Sequence, residues 1–299
     1  MKNVINSGNI KKYSDSRLAL ILVAPVLLYL LLVMLAPFLW ALYTSLTDKM
    51  VGTEGVFVGL KNYIELTGDE LFLKSVKNTV IFTTFAVVAK VVFGMVLALI
   101  LNENIKARNL FRALLVLPWT IPTLVSVFAW QWIFSDVGGV LNHILMLLGI
   151  IERQIGWLAT PAMGMFSVIL VNVWRGIPFL GISILAGLQT IDGVLYEAAR
   201  IDGANIFQRF LNVTLPSIRD VIVLSSVVTT IWTLGDFEII WLLTRGGPSN
   251  GTQVISTLSY TYGFLNLYLG KAIAISVFSF PPLLALVHFM TKKTLEAER

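Results

Sequence analysis

Hydrophobic runs long enough to cross a membrane recur six times along this chain. The hydrocarbon layer of a bilayer is ~30 Å thick, and a helix needs roughly 20 apolar residues to cross it. The first run is free of charged residues over its whole length, and no later run holds more than two. The pattern therefore predicts six transmembrane helices, at about residues 18–47, 78–101, 113–135, 160–189, 221–244 and 272–291.

The first run could also be a signal peptide. The apolar part of a signal peptide is about 7–15 residues long, and this run is about twice that length. We therefore predict an uncleaved span, in an all-α integral membrane protein with a single membrane domain over residues 18–291. An N-terminal segment, residues 1–17, and a tail, residues 292–299, flank this domain.

The composition supports a membrane protein. Hydrophobic residues make up 57% of the chain and charged residues 13%, with a mean hydropathy of +0.82. Soluble domains carry about 25% charged residues, so a soluble class is excluded. The absence of cysteine excludes disulfides, thiolate metal sites and cysteine catalysis. The net charge of +5 indicates membrane lipid rather than nucleic acid as the partner, because the basic residues lie between the hydrophobic runs.

The basic residues are divided unevenly between the two sides of the predicted membrane. The N-terminal segment, the tail and the loops after the second and fourth runs hold thirteen Lys and Arg residues, and the opposite loops hold seven. Cytoplasmic loops carry the excess of positive charge in membrane proteins. Both termini are therefore predicted to be cytoplasmic.

The longest polar interruption in the second half is "YEAARIDGANIFQRFLNVTLP", residues 196–216, on the predicted cytoplasmic side. Asp192 can cap a short helix that runs through Glu197, and Gly203 can adopt the positive φ that ends a helix. A second helix is predicted over residues 204–214, ended by the proline that follows. Such a pair of helices would expose small and apolar side chains, which either rest on the inner leaflet or bind a protein partner.

The same stretch resembles a known coupling element. Its "EAARIDGA", followed by "TLP", is similar to the EAA loop of the permease subunits of binding-protein-dependent ABC importers. In that family the loop docks in a cleft of the ATPase subunit. The resemblance implies a coupling loop over residues 192–217. It assigns the coupling contacts to Glu197, Ala198, Ala199, Asp202, Gly203, Ala204, Leu215 and Pro216.

Four other segments extend the resemblance over nearly the whole chain. They are "FVGLKNY", "LPWTIPTLVSVFAWQWIFSDVGGVLN", "WRGIPF" and "LTRGGPSNGT". All four are similar to the carbohydrate branch of that family, the MalF and UgpA type. The resemblance implies a type I ABC importer permease fold with six transmembrane helices.

The partners are likewise implied by the resemblance. They are a second homologous permease subunit, a homodimer of ATP-binding subunits and an extracytoplasmic solute-binding protein that delivers a sugar or sugar derivative. The implied location is the bacterial cytoplasmic (inner) membrane. This chain contains no G-x-x-x-x-G-K-[ST] phosphate loop. We therefore expect ATP and Mg²⁺ on the partner ATPase, and no cofactor or metal on this non-catalytic chain.

Polar residues inside the fourth and fifth runs are candidates for the path of the solute. A charge near the bilayer centre is costly and is by default functional or paired. Sugar hydroxyls need hydrogen-bond partners, and the C–H faces of sugar rings stack on aromatic rings. The last four candidates recur at helical spacing with Ser225 and share one predicted face. The candidate path comprises Asn172, Trp174, Arg175, Thr229, Trp232, Thr233 and Asp236.

A structural role for these residues is the alternative. Arg175 could be bonded to Asp236 or Glu238, and the hydroxyl groups to backbone carbonyls, as in other contacts between membrane helices. Lys90 shares a helical face of the second run with three small residues. That pattern predicts close packing and a buried ion pair for Lys90 rather than a site.

Two other classes of protein fit the sequence less well. An intramembrane enzyme needs a nucleophile and a base, or a metal set, that face each other, and the only two histidines, His143 and His288, are far apart in depth. A secondary transporter would be supported by inverted repeats with broken helices, and no repeat is recognisable. Among importers, a polyol or glycerol-phosphate-type solute and an anionic sugar remain open.

The outer loops hold two recognisable segments. Apolar residues recur at helical spacing through residues 138–157, which predicts an amphipathic helix that caps the outer mouth. "RGGPSNGTQ", residues 245–253, predicts a turn. Within the spans, Pro118, Pro122 and Pro178 predict kinks.

Overall fold

The computed structural model describes residues 12–104 and 106–297. Within these ranges the regular structure is helical, and the only β pairing is one bridge between Thr47 and Phe57. The predicted placement of residues 1–11, 298 and 299 lies outside the described residues. The helices, in chain order, are α1 (Lys12–Leu30), α2 (Ala36–Ser45), α3 (Lys61–Thr67), α4 (Glu70–Asn102), α5 (Arg108–Thr120), α6 (Thr123–Ile133), α7 (Val140–Leu147), α8 (Pro161–Leu188), α9 (Gly193–Ile201), α10 (Ile206–Arg209), α11 (Leu215–Ser217), α12 (Arg219–Leu234), α13 (Glu238–Thr244), α14 (Ile255–Tyr260), α15 (Leu269–Phe278) and α16 (Phe280–Ala297).

Some of these helices join into longer segments. π-helical turns at Leu31–Leu35 and Phe210–Thr214 connect α1 to α2 and α10 to α11. Four segments are long and apolar enough to cross a membrane, namely Leu18–Ser45, Glu70–Asn102, Pro161–Leu188 and Leu269–Phe289. Two helix pairs, α5 with α6 and α10–α11 with α12, reach that length only across bends of 95° and 66°. The described residues thus hold four candidate spans, or up to six if each bent pair is one span.

The side chain of Asp69 caps the first turn of helix α4, which begins at Glu70. The sequence predicts a span that begins only at residue 78. Asp69 accepts hydrogen bonds from the amides of Leu71 (2.8 Å) and Phe72 (3.1 Å) and from the Tyr262 hydroxyl (2.7 Å). Burial alone would raise the pKa of Asp69, but these hydrogen bonds outweigh burial and hold the pKa below its ordinary value. The predicted second span therefore lacks the polar first turns of the helix.

The third predicted span, residues 113–135, is a bent pair of helices rather than one straight helix. The residue before Pro122, Ile121, is extended, with φ −75° and ψ 133°, as proline favours in its predecessor. The break between α5 and α6 lies at this point, so the kink predicted at Pro122 is confirmed. Pro118 lies inside α5 without ending it.

The fifth predicted span, residues 221–244, is also interrupted. α12 ends at Leu234 and α13 begins at Glu238. Between them, Asp236 Oδ1 accepts a hydrogen bond from the Ile239 amide (3.3 Å). Short acidic side chains compete for backbone N–H groups in this way and favour helix ends. The helical spacing predicts one continuous helix through Asp236, and that prediction is wrong.

Helices α4 and α8 pack closely at the centre of the molecule. A Cβ atom on Gly94 of α4 would lie 2.9 Å from Leu180 Cβ of α8. The missing side chain lets the two backbones approach, as small residues commonly do between membrane helices. Gly94 belongs to a buried face of α4 with Ala86, Lys90 and Ala98, so the close packing predicted for this face is confirmed.

Side-chain amides hold residues 138–157 and the 245–253 turn in place. Asn142 Oδ1 accepts hydrogen bonds from the Ile155 amide (3.1 Å) and Trp157 Nε1 (3.0 Å). Helix α7 therefore covers only the first part of the predicted 138–157 helix, and the chain then folds back across Asn142. In the 245–253 turn, the backbone carbonyl of Gln253 accepts a hydrogen bond from Asn78 Nδ2 of α4 (2.9 Å).

Candidate functional site

The break between α12 and α13 opens into a cavity of about 500 Å³. Side chains of α4, α5 and α8 complete its wall. Six of the seven residues predicted for the solute path line it, namely Asn172, Arg175, Thr229, Trp232, Thr233 and Asp236. Residues of two separate hydrophobic runs therefore meet at one cavity.

A hydrogen bond joins the two runs at the cavity. Asn172 Nδ2 donates to Asp236 Oδ2 over 2.6 Å. In the described part of the chain, Arg175 forms no ion pair with Asp236 or Glu238, since no nitrogen–oxygen distance between them is 4.0 Å or less. Asp236 thus takes Asn172, rather than Arg175, as its hydrogen-bond partner on α8.

Two polar atoms of the wall are buried without a hydrogen-bond partner among the described residues. They are Asn172 Oδ1, an acceptor, and Arg175 Nε, a donor. Buried polar groups in folded proteins are nearly always hydrogen-bonded, either to protein or to water. Both atoms are enclosed by protein, so neither faces the open space of the cavity in this conformation.

Lys90 also lines the cavity, which the packing pattern of α4 does not predict. Its side chain crosses α8 at Gly176, where a Cβ atom would lie only 2.5 Å from Lys90 Cε. Lys90 Nζ then donates to Thr233 Oγ1 (2.9 Å). No carboxylate lies within 4.0 Å of this ammonium group in the described residues, so the predicted ion pair is replaced by a hydrogen bond. The position of a lysine in the middle of a span was the available signal.

Aromatic rings form one side of the cavity. Trp232 is half exposed, and its ring centroid lies 4.8 Å from that of Phe179 and 6.5 Å from that of Trp119. Phe179 and Trp119 line the cavity with it, and the sequence reasoning missed both. Flat apolar rings beside hydrogen-bonding groups suit a ligand with both C–H faces and hydroxyls.

Trp174 is the one predicted path residue that does not line the cavity. Its ring packs edge-on against Trp130 of α6, with centroids 5.6 Å apart. Residues three apart on a helix share a face, but adjacent residues do not. Asn172 and Arg175 therefore point to the cavity while Trp174 points to a neighbouring helix, and its predicted stacking role is wrong for this cavity.

The predicted coupling loop forms two short helices. Asp192 Oδ1 caps α9 by accepting a hydrogen bond from the Val194 amide (3.0 Å). α9 ends before Gly203, which has φ +77°. Both features agree with the sequence prediction. On either side of this turn, Ile201 and Phe207 are 87% and 68% exposed.

The second helix of the loop differs from the prediction at both ends. It begins at Ile206 because Asn205 and Gln208 form a reciprocal capping pair. It runs on through Pro216 to Ser217, where it bends into α12. A proline is tolerated where the π-helical turn just before it has already interrupted the regular bonding of the helix. The prediction that Pro216 stops this helix is therefore wrong.

A second cavity, of about 980 Å³, lies beneath the loop. Glu197 and Arg200 of α9 line it, together with Glu103 at the end of α4. The hydroxyl groups of Tyr196 and Thr214, 2.9 Å apart, tie α9 to the second helix. The loop is thus one packed unit, and α12 leads directly from it to the first cavity.

The coupling residues predicted from the sequence are distributed over this unit. Glu197, Ala198 and Ala199 lie on α9, and Asp202, Gly203 and Ala204 form the turn after it. Leu215 and Pro216 lie in the last turn of the second helix. Five of the eight are exposed, namely Glu197, Ala198, Asp202, Gly203 and Pro216.

Known proteins share both the sequence and the fold. The family described as binding-protein-dependent transport system inner membrane component matches residues 90–292. The trehalose/maltose transport system permease protein MalF of Thermococcus litoralis is 37% identical over 269 residues, which cover 89% of this chain and 90% of that protein. The sulfoquinovosyl glycerol transport system permease protein SmoG of Agrobacterium fabrum is 33% identical and covers 89% of this chain and 87% of that protein.

A solved structure has the same fold. It belongs to a bacterial ABC transporter involved in the import of the acidic polysaccharide alginate, and it matches with a TM-score of 0.81 at 24% identity. The match covers 96% of this chain and 98% of that chain. The family match includes α8, the loop and both sides of the α12–α13 break. This chain therefore belongs to the family of binding-protein-dependent transport system inner membrane components.

Proposed function

We propose that this chain is one half of the translocation pore of an ATP-driven importer for a sugar or sugar derivative. The observation that carries the proposal is the cavity at the α12–α13 break, whose wall combines hydrogen-bonding side chains with aromatic rings. A hydroxylated solute needs that combination because the wall must replace its lost water. The names of the two relatives, one for trehalose/maltose and one for sulfoquinovosyl glycerol, support a sugar-type solute.

The exposed loop supplies the contact with an ATPase subunit. Its apolar side chains Ile201, Ile206 and Phe207 are more than two-thirds exposed, and clustered exposed apolar groups are typical of surfaces that bind a partner. Glu197 borders this surface and the cavity beneath it. The loop can therefore bind the cleft of a partner through exposed apolar side chains and through the charge of Glu197.

Helix α12 couples the loop to the cavity. It has 16 residues, which span about 24 Å at the rise of an α-helix. Closure of the ATPase dimer on ATP displaces the loop, and α12 carries the displacement to the break beside Asp236. The pore then alternates between outward-facing and inward-facing states, because ATP has a different affinity for each. ATP and Mg²⁺ stay on the partner ATPase, and this chain catalyses no reaction.

The complete importer needs further subunits. They are a second homologous permease, a homodimer of ATP-binding subunits and an extracytoplasmic binding protein, assembled in the bacterial inner membrane. Counting each bent pair as one span gives this chain six spans, with both termini in the cytoplasm. None of the most apolar window of the first span is buried within this chain, which leaves this surface free for lipid or for the second permease.

Co-purification tests the proposal. The chain is extracted in mild detergent from its native membrane, as wild type and as Glu197→Lys, and the proteins that accompany it are identified. The wild type is expected to bring an ATP-binding subunit and a second permease. The Glu197→Lys variant is expected to keep the second permease and lose the ATP-binding subunit, since a reversed charge on the loop opposes docking.

A matched control separates docking from general damage. Asp220 is an exposed carboxylate in the first turn of α12, just outside the loop, and Asp220→Lys makes the same change of charge. This variant is expected to retain both partners. A wild-type chain that is purified without an ATP-binding subunit would contradict the proposed function.

A further inference from the structure

Four charged side chains line the cavity at the α12–α13 break, and their charges cancel. Lys90 and Arg175 are basic, and Asp236 and Glu238 are acidic. No other described residue of the wall is ionisable. The wall therefore has no net charge when all four groups are ionised.

Lys90 reaches this wall from a helix that lies behind it. The absence of a side chain at Gly176 leaves the space that the Lys90 side chain occupies as it crosses α8. Lys90 Nζ then donates to Thr233 Oγ1 and lies close enough to Asp236 for their charges to interact. A glycine in α8 thus lets α4 place a cation in a cavity that it does not otherwise reach.

The charges of the wall favour hydroxyl groups over anionic groups. An anionic group that approaches Lys90 or Arg175 also meets the carboxylates of Asp236 and Glu238, which repel it. A hydroxyl group can donate to a carboxylate and accept from a cation, whereas the oxygens of a carboxylate or sulfonate can only accept.

From these contacts we propose that the cavity selects uncharged polyhydroxylated solutes, and that Lys90 determines this specificity by balancing the carboxylate of Asp236. The proposal rests on the proposed function, because it names the solute class of the same cavity. Selection of anionic sugars or of glycerol-phosphate-type solutes is the outcome that would overturn it.

The test measures sugar binding to the assembled transporter in lipid nanodiscs. The binding protein is omitted so that only the pore discriminates between solutes. The neutral probes are radiolabelled trehalose and maltose, and the anionic probes are sulfoquinovosyl glycerol and a uronic acid disaccharide, each measured by equilibrium dialysis at millimolar concentration. The wild type is expected to retain a neutral probe roughly tenfold better than either anionic probe.

Removal of one carboxylate should change this preference. Glu238 is exposed at the start of α13, so Glu238→Gln leaves the packing intact and gives the wall one net positive charge. The ratio of anionic to neutral binding is expected to rise roughly tenfold in this variant. Glu152→Gln, which removes an exposed carboxylate of an outer loop, is the matched control and should leave the ratio unchanged.

Charge compensation isolates the contribution of Lys90. Asp236→Asn gives the wall one net positive charge and should raise the ratio of anionic to neutral binding. Adding Lys90→Met to the same chain removes that positive charge, so the ratio should return to the wild-type value. A merely structural role for Lys90 would weaken both classes of probe together and would restore nothing. The ratio is therefore the readout that distinguishes the two roles.

The outcomes separate this proposal from the proposed function. If the wild type prefers an anionic probe, or if the ratio does not respond to Glu238→Gln, the selection of neutral solutes is wrong while sugar import stands. If the wild-type transporter retains neither class of sugar, the proposed function fails together with this inference.

Discussion

Thr233 makes two different contacts through one hydroxyl group. Its Oγ1 donates to the Thr229 carbonyl (2.6 Å) and accepts a hydrogen bond from Lys90 Nζ (2.9 Å). Thr230, on the same helix, donates to the Ser226 carbonyl (2.6 Å) and does not line the cavity. The two threonines share a local backbone setting and differ in their contact with the candidate site.

This difference allows a matched pair of substitutions. Thr233→Val removes the acceptor of a buried ammonium group, so we expect the initial rate of sugar uptake to fall roughly tenfold. Thr230→Val loses only a local bond to the backbone, and uptake should stay within about twofold of the wild type. Both variants are measured in proteoliposomes that contain the complete transporter. Equal losses in the two variants would show that the contact with Lys90 has no functional role.

A side chain at Gly176 is predicted to displace the end of the Lys90 side chain. The Cβ atom of Gly176→Ala would overlap Lys90 Cε, which is near the free end of a flexible side chain and can move away. We therefore expect Lys90 Nζ to lose its hydrogen bond to Thr233 and sugar uptake to fall, with little change in the unfolding temperature in detergent. Gly68→Ala is the control, because its Cβ atom would meet only one carbonyl oxygen, at 3.8 Å. A Gly176→Ala variant with the sugar uptake of the wild type would contradict a functional role for the placement of Lys90.

At the residue scale, the sequence predicts which residue types form the site better than it predicts where their side chains point. The cost of a charge inside a span points to Arg175 and Asp236, and both line the cavity. The same rule applies to Lys90, but its small neighbours on α4 suggest close packing and a buried ion pair rather than a site. Adjacency in sequence suggested Trp174, although adjacent side chains on a helix point about 100° apart. Which side chains meet is decided by how the helices are rotated about their axes, and the spacing of residues along one helix does not show that rotation.

At the scale of elements, the turn after α9 is the part of the loop with the strictest backbone requirement. Gly203 has φ +77°, and a Cβ atom there would meet nothing within 4 Å. A β-branched residue at this φ is strained, even though there is space for it. The turn therefore demands glycine for its conformation and not for its packing.

The Gly203→Val variant tests the coupling role of this turn. We expect it to assemble in part, to hydrolyse ATP and to lose most sugar uptake, because the loop no longer transmits movement to α12. Gly193→Val lies in the same loop, also in open space, and Gly193 has no positive φ, so it should retain uptake. ATP hydrolysis and uptake are measured on the same proteoliposomes. Wild-type uptake by Gly203→Val would exclude the coupling role.

The start of α4 gives the fold a sensitivity to acid. The pKa of Asp69 is held below its ordinary value, and burial with the hydrogen bond to Asp69 raises the pKa of Tyr262 to about 12. Asp69 therefore stabilises the fold above its unfolded pKa of about 3.9, and this contribution is lost as the pH falls through the folded pKa.

Thermal unfolding in detergent at several pH values measures this effect. The unfolding temperature of the wild type should fall more steeply below about pH 4 than that of Asp69→Asn, which has no carboxylate to titrate. Tyr262→Phe should reduce the acid-dependent part without abolishing it, because the amides of Leu71 and Phe72 still bind the carboxylate. An identical dependence on pH in all three proteins would rule out this role for Asp69.

The hydrophobic runs predict helix boundaries well where one uninterrupted run forms one helix. The fourth run, predicted at residues 160–189, is the helix Pro161–Leu188. The break in the fifth run was missed because hydropathy measures transfer into lipid and not the continuity of backbone hydrogen bonds. Asp236 lies in an apolar run and yet binds a backbone amide. The sequence gives no measure of which partner such a side chain takes.

For the whole molecule, the main feature is the position of α12 between the two candidate sites. The cavity lies at one end of α12 and the exposed loop at the other, so a single helix connects the two candidate sites. The span Leu18–Ser45 is exposed along its most apolar window. In a bilayer this apolar surface faces lipid or another membrane helix.

The most direct test is uptake by the reconstituted transporter. Proteoliposomes with this chain, its second permease, the ATP-binding subunits and the binding protein are supplied with radiolabelled trehalose or maltose, with and without ATP. We predict that sugar accumulates only when ATP is hydrolysed, and that Glu197→Lys abolishes accumulation. Accumulation without ATP, driven by an ion gradient, or no uptake of sugar in its presence, would contradict the assignment of this chain to an ATP-driven sugar pore.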